Sequence, residues 1–342
     1  MNPRSLAAGV ARRWMHFWFE PTAAANLAFC RILFFALLFV GYAAHDFSAW
    51  GSVSRRFWTP IWLFEHTGAE PLDRSTLWIL QTCWKTALIF SAIGLYTRVS
   101  MTVAFAAGAY LFGLPHNFGQ TYHFDAVLVF TLGVLALSRA NAALSLDALI
   151  ARDERRSKMP AAPKSAEYTW PVRLVWVAMA MVFLGAATSK LRHAGIAWVL
   201  SGSMRTLLIR AHYGISDADP LVKWGLMVAN WPAAASTLAA VSLLTELLFP
   251  LALFSVRARW ILVPASAAMI LGIRVLMGPT FGGFLSAYVF WPSWTAVGHR
   301  VHAWVHSRRH ARYSATPSCL LRAVRHCSLP GKKTRQASGR SA

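Results

Sequence analysis

Lys190 closes a long apolar segment, Trp170 to Ala187, in the run Gly-Ala-Ala-Thr-Ser-Lys-Leu-Arg-His. Arginine outnumbers lysine 27 to 7 in this chain, so a lysine at this position is not simply its habitual cation. An arginine stays protonated almost anywhere, whereas a half-buried amine can shed its proton and act as a base. The alternative role for Lys190 is an anchor whose ammonium snorkels to headgroup level. A second apolar run opens with Tyr122-His123-Phe124-Asp125, and a third carries Arg274. His123 is the residue type that relays protons near neutral pH. Singly it also reads as a helix-start residue bonded to backbone. Asp125 and Arg274 add an acceptor and a fixed cation, so they are the expected ligand-binding positions. Lys85 and Glu246 fall near mid-depth of two further apolar segments and read as a structural ion pair, because intramembrane charges usually pair with one another.

The elements that must position these groups are membrane spans. With 56% hydrophobic and only 14% charged residues among 342, the chain departs from the roughly 25% charged composition of soluble proteins. A span needs about 20 mainly apolar residues. Eight segments meet or nearly meet that length, at 27–44, 77–95, 99–115, 122–138, 170–188, 234–254, 258–277 and 280–297. The expected fold class is therefore all-α, a polytopic helical membrane protein of about eight transmembrane helices. Arg4, Arg12, Arg13, Arg98, the loop 139–169, Arg257, Arg259 and the tail all fall on one side if the spans alternate. By the positive-inside tendency both termini are then cytoplasmic. Lys190, His123, Asp125 and Arg274 meet the opposite face at similar depth. Arg31 lies near the cytoplasmic end of the first span and is expected to snorkel.

The expected domain organisation is an interfacial segment 1–26, a transmembrane domain 27–297 and a basic tail 298–342. Residues 299–342 carry ten Lys/Arg and no acid. The tail either meets anionic lipid or is simply disordered. The net charge of +21 does not indicate nucleic acid, because it is concentrated in the tail and short loops. Arg12 to Phe19 mixes cations with aromatics as headgroup-level helices do. Ile196, Leu200, Met204, Leu207 and Ala211 form one stripe at helical spacing and predict a second surface helix. Cysteines 30, 83, 319 and 327 give no disulfide framework or metal spacing. The first apolar run has no clear cleavage site and reads as an uncleaved span. No dinucleotide fingerprint, phosphate loop or nucleophile elbow is present.

Several short motifs occur in a specific order: Pro21, Leu27-Ala-Phe-Cys-Arg31, Gly94-Leu-Tyr-Thr-Arg98, His123, Leu144-Ser-Leu-Asp147, Ser189-Lys190-Leu191 with Trp198 and Gly202, and Glu246-Leu-Leu-Phe-Pro250. Over residues 14–297 they resemble the horizontally transferred transmembrane domain family, which includes vitamin K-dependent gamma-glutamyl carboxylase. The resemblance implies Lys190 as the base toward a reduced quinone, with His123 nearby. Ser189 and Arg274 depart from the carboxylase pattern, and no counterpart of its luminal domain follows residue 297. Glutamate carboxylation is therefore not expected. The leading expectation is an outward-facing site for a quinol-type ligand, with Lys190 as base or anchor. The alternative is a non-enzymatic scaffold or assembly factor, with small-solute transport third. The alanine- and arginine-rich character, without a eukaryotic sorting signal, points to a bacterial inner membrane.

Overall fold

The computed structural model describes residues 3–119, 123–154, 163–214, 223–279 and 281–298, with residues 300 and 303. Helix accounts for 81% of the described residues, and no strand occurs among them. In chain order the helices are α1 (Pro3–Phe19), α2 (Ala24–Tyr42), α3 (Trp62–Thr67), α4 (Arg74–Ile93) and α5 (Thr97–Gly113). Then come α6 (His123–Leu137), α7 (Leu146–Glu154), α8 (Trp170–Ala194), α9 (Ala197–Leu200) and α10 (Ser203–Gly214). The last five are α11 (Lys223–Ala229), α12 (Pro232–Leu248), α13 (Leu251–Phe254), α14 (Val256–Met277) and α15 (Gly282–Ser286). Met1–Thr295 forms one compact unit; the second, Ala296–Ala342, lies mostly outside the described residues, and so does most of the basic tail.

Five helical segments are long and apolar enough to cross a membrane: Ala24–Tyr42, Arg74–Ile93, Thr97–Phe118, Ala166–Ala194 and Val256–Met277. Two shorter apolar helices, Asp125–Leu137 and Pro232–Leu248, accompany them. The chain is thus a multi-pass membrane protein by helix length and composition. Its exposed residues fit that reading. Val40, Leu137, Phe254 and Trp260 are large apolar side chains with most of their surface open, as lipid-facing positions require.

The helix ends follow local chemistry. Asp73 caps α4 by accepting from Ser75 N and Thr76 N, the usual service of an aspartate before a helix. Pro171 and Pro232 stand in the first turns of α8 and α12, where the missing N–H costs nothing. The expected surface helix 196–211 is instead two helices, because Gly202 takes a φ of 75° between α9 and α10.

The expected span 280–297 is not one helix. It passes from α15 into a 3-10 turn, Ala287–Phe290, and then bends at Trp291-Pro292. It still runs beside α2 from end to end. A Cβ built on Gly283 would meet the Tyr42 side chain, Val289 O accepts from Cys30, and Trp294 N donates to Asn26 Oδ1. From Asn26 to Tyr42, α2 rises about 24 Å. Its 3-10 turn lengthens the shorter companion by only about 2 Å over an α-helix, so the non-helical stretch 291–293 must cover most of the rest.

Arg31 does not snorkel. It has no exposed surface; Nη1 donates to Ala140 O at 3.0 Å and Nη2 to Leu144 O at 2.6 Å. The loop it holds delivers Asp147 to the start of α5. There Asp147 accepts from Tyr96 N, Thr97 N and the Thr97 hydroxyl. Asp147 N donates to Gly94 O in return. Three separate sequence motifs therefore meet in one knot. Burial works against ionisation of Asp147, but the Thr97 and Tyr96 hydrogen bonds and the Arg31 charge outweigh it and hold the carboxyl below its ordinary value. A depressed folded-state pKa contributes stability above the unfolded value, and that contribution is lost as pH falls through the folded one. Thermal stability in detergent is accordingly expected to decline below about pH 4, the ordinary aspartate value. Asp147→Asn should lower stability at neutral pH and flatten that acid limb; an unchanged acid limb in the variant would assign it to other carboxyls.

Candidate functional site

Lys190 lies in the penultimate turn of α8. Gly195, with φ at 55°, ends the helix, and α9 then returns Trp198 over the lysine, with Nζ 5.2 Å from the indole centroid. Its acidic partner is Glu246 of α12, Nζ to Oε1 2.5 Å. Phe183 of α8 also packs on Phe249, the residue that caps the C-terminal end of α12, at 4.3 Å. Moving forward along α8 therefore means moving backward along α12, so the two helices are antiparallel. Helical side chains lean toward their own N-terminus. On antiparallel neighbours a lysine and a glutamate near the two C-terminal ends thus lean toward each other.

This pairing corrects the expected Lys85–Glu246 pair. Lys85 instead donates to Ala43 O at 3.0 Å and His45 O at 2.8 Å, beyond the C-terminal end of α2. A cation suits the negative end of a helix dipole, and an ammonium can bond the last carbonyls there.

Glu246 is 5% exposed. Its Oε1 takes the lysine and, at 3.4 Å, the Ser242 hydroxyl, while Oε2 is buried without a hydrogen-bond partner. Trp198 Nε1 is buried and unpartnered as well. An unmet acceptor and an unmet donor thus flank one ammonium. Unsatisfied buried polar atoms cost about 1–3 kcal/mol each, so such a pair is expected where a further polar group completes the site.

The other expected site residues sit elsewhere. Asp125 is buried and lies 3.4 Å from His116 Nε2. Asp125 and Lys190 share no ion pair among the described residues. Arg274 donates to Gly278 O at the end of its own helix, at 3.1 Å. His123 begins α6, and its side chain lies outside the described residues.

A cavity of about 770 Å³ opens beside a different lysine, lined by His45, Asp46, Arg74, Trp78, Gln81 and Lys85. Gln81 ties it together, donating to Asp46 Oδ1 at 3.0 Å and accepting from Phe47 N at 2.8 Å. Burial, then the nearby Lys85 charge, pushes the His45 imidazole below its ordinary value. Sequence reasoning passed over His45, Asp46 and Gln81. The available signal was a histidine–aspartate pair directly after a span, with an Asp-x-Ser turn that Ser48 N closes at 2.9 Å. No metal-holding cluster of His, Cys, Asp and Glu occurs among the described residues. No family model matches this chain, and no curated protein or solved structure does, so its function is argued from its own residues.

Proposed function

We propose that the chain crosses the membrane eight times with both termini cytoplasmic, and that Lys190, Glu246 and Trp198 form an outward-facing site for a ligand with an acidic hydroxyl, of quinol type. The observation that carries this reading is the buried Glu246 Oε2 with no donor, beside an ammonium and an unpaired indole N–H. The full-length run of 283–294 beside α2 supports an eighth crossing.

A reduced quinone fits these residues, since its O–H can donate to Glu246 Oε2 while its oxygen accepts from Trp198 Nε1. When bound, such a group supplies a weakly acidic hydroxyl and an oxidisable ring. Lys190 is already the donor to Glu246, so the proton acceptor in this arrangement is the carboxylate. Glu246 takes the proton at Oε2. The Lys190 ammonium, whose partner is now a neutral carboxylic acid, then holds the negative charge left on the ligand oxygen. The role of Lys190 shifts from base to electrostatic anchor.

The test is binding of a short-chain ubiquinol by the purified protein in detergent at pH 7. Glu246→Gln keeps the shape of the side chain and removes the charge. It is expected to weaken binding by roughly tenfold or more, the scale of one charged hydrogen bond. Undiminished binding in Glu246→Gln, or none in the wild type, would overturn the reading. A scaffold role is the second reading, and the Lys190–Glu246 contact favours it, since it ties α8 to α12 without any ligand.

A further inference from the structure

Two arginines converge at the end of the bundle where α8 begins. Arg173 holds its guanidinium carbon 4.3 Å from the Trp176 ring centroid, and Arg259 of α14 holds its own at 4.1 Å. The two guanidiniums are then no more than about 8 Å apart, within cation–π distance of one ring. Trp176 cannot turn away, because it stacks on Trp291 at 4.7 Å with an interplanar angle of 4° and its Nε1 donates to Phe290 O.

One carboxylate serves Arg173 alone. Glu20 Oε2 lies 3.5 Å from Arg173 Nη2. Glu20 is held there by the link between α1 and α2, which pairs Thr22 with Ser165 through two backbone bonds and Thr22 with Thr169 through hydroxyls. Arg259 has no carboxylate. Its Nε donates to Ala252 O at 3.1 Å, and its two terminal nitrogens have no acceptor among the described residues. They are not sealed off either, since the buried unpartnered atoms are those of other residues. A guanidinium presents five N–H donors in a fork that matches phosphate oxygens, and here most of one fork is unused beside a second cation.

The surroundings say what kind of anion fits. Arg173 also lies 5.1 Å from the Phe17 ring of α1. On α1, Arg12 and Arg13 are exposed, as are Trp14, Met15 and Phe19. Cations and large aromatics exposed on one helix are the composition of an element lying at headgroup level. Phe254, largely exposed, packs near Phe17 and leaves an apolar flank beside the arginines. A phosphate carried on acyl chains would satisfy the fork and the flank together.

We infer that Arg173 and Arg259 form a built site for the phosphate of an anionic phospholipid at the α1–α8–α14 corner. Its residues are not those of the basic tail or of the Lys190 site.

The test is retention of defined lipid by the purified full-length protein, read by native mass spectrometry and by thermal unfolding after supplying phosphatidylglycerol or phosphatidylcholine. The wild type should retain phosphatidylglycerol and unfold later in it than in phosphatidylcholine. Arg259→Gln should weaken that retention about fivefold, the scale of one cation near a lipid surface. Arg259→Lys keeps the charge and is the safer folder; it should still lose part of the retention because the fork is gone. Arg257→Gln, an exposed neighbour, should behave as the wild type. Equal retention in Arg259→Gln and Arg259→Lys as in the wild type would overturn the site. Equal protection of the wild type by inorganic phosphate or glycerol phosphate would overturn the lipid as its occupant.

Discussion

Glu246→Leu alone is expected to destabilise the protein by about 3 kcal/mol, the lower end of the cost of stranding one member of a buried ion pair. The lower end applies because Lys190 keeps 21% of its side chain exposed while Glu246 keeps 7%. The stranded ammonium can turn partly outward; a stranded carboxylate cannot, so Lys190→Met alone should cost at least as much. Combining Lys190→Met with Glu246→Leu removes both charges and should bring stability back to within about 1 kcal/mol of the wild type, as apolar replacements of buried pairs commonly do. Unfolding in detergent for the four proteins of this cycle gives the coupling directly. Additive effects would mean that the 2.5 Å contact contributes nothing and that α8 and α12 are held by apolar packing such as Phe183 on Phe249.

The same double variant separates the two functional readings. It should fold and should fail to bind quinol if Glu246 Oε2 is the acceptor. If the ion pair is only a tie between helices, the folded double variant loses two charges that cancel, and quinol binding, if the wild type shows any, survives.

Much of this architecture was legible in the chain because hydropathy reports helix placement directly. The helices α2, α4, α5, α8 and α14 lie where runs of apolar residues place them. The element beside α2 was harder, since 283–294 covers its distance with mixed helix, 3-10 turn and bend, and periodicity does not report such a path. Pairing was harder again. Lys85 and Glu246 share a depth when residues are counted along straight spans, but side-chain lean on antiparallel helices selects Lys190 for Glu246 and leaves Lys85 to the carbonyls of Ala43 and His45. Lys190 and Trp198 were singled out together, and the turn at Gly195 brings them into contact. What the sequence did not display is the state of individual atoms. Neither the unpartnered Glu246 Oε2 nor the unused Arg259 fork has a signature in composition or spacing.

Arg31→Leu is expected to be the most damaging single change in the described fold, at roughly 3–5 kcal/mol, because it removes a fully buried cation whose donors have no substitute. Two carbonyls, Ala140 O and Leu144 O, lose their partner at once, and Ala140 is itself 1% exposed. Leu144 also has a φ of 48° and Tyr96 one of 45°. Non-glycine residues in that region cost of order 1–3 kcal/mol each and persist only where surrounding contacts over-determine them. Both lie in the knot that Arg31 and Asp147 tie, so removal of Arg31 should release the loop and with it the Asp147 bonds to Tyr96 and Thr97. Arg31→Lys should rescue little, since one ammonium on a flexible stem does not reproduce a fork reaching two carbonyls. Gly94→Ala attacks the same knot from the other side. Its φ is 74°, and a Cβ there would meet Ser145 Cα at 2.7 Å, so neither backbone conformation nor space admits it. The measurement is thermal unfolding together with protease cleavage within 139–147. Rapid cleavage in Arg31→Leu and Gly94→Ala, with the wild type resistant, is the expected pattern. Wild-type melting in Arg31→Leu would show that the loop is held by Ser145 and Asp147 alone.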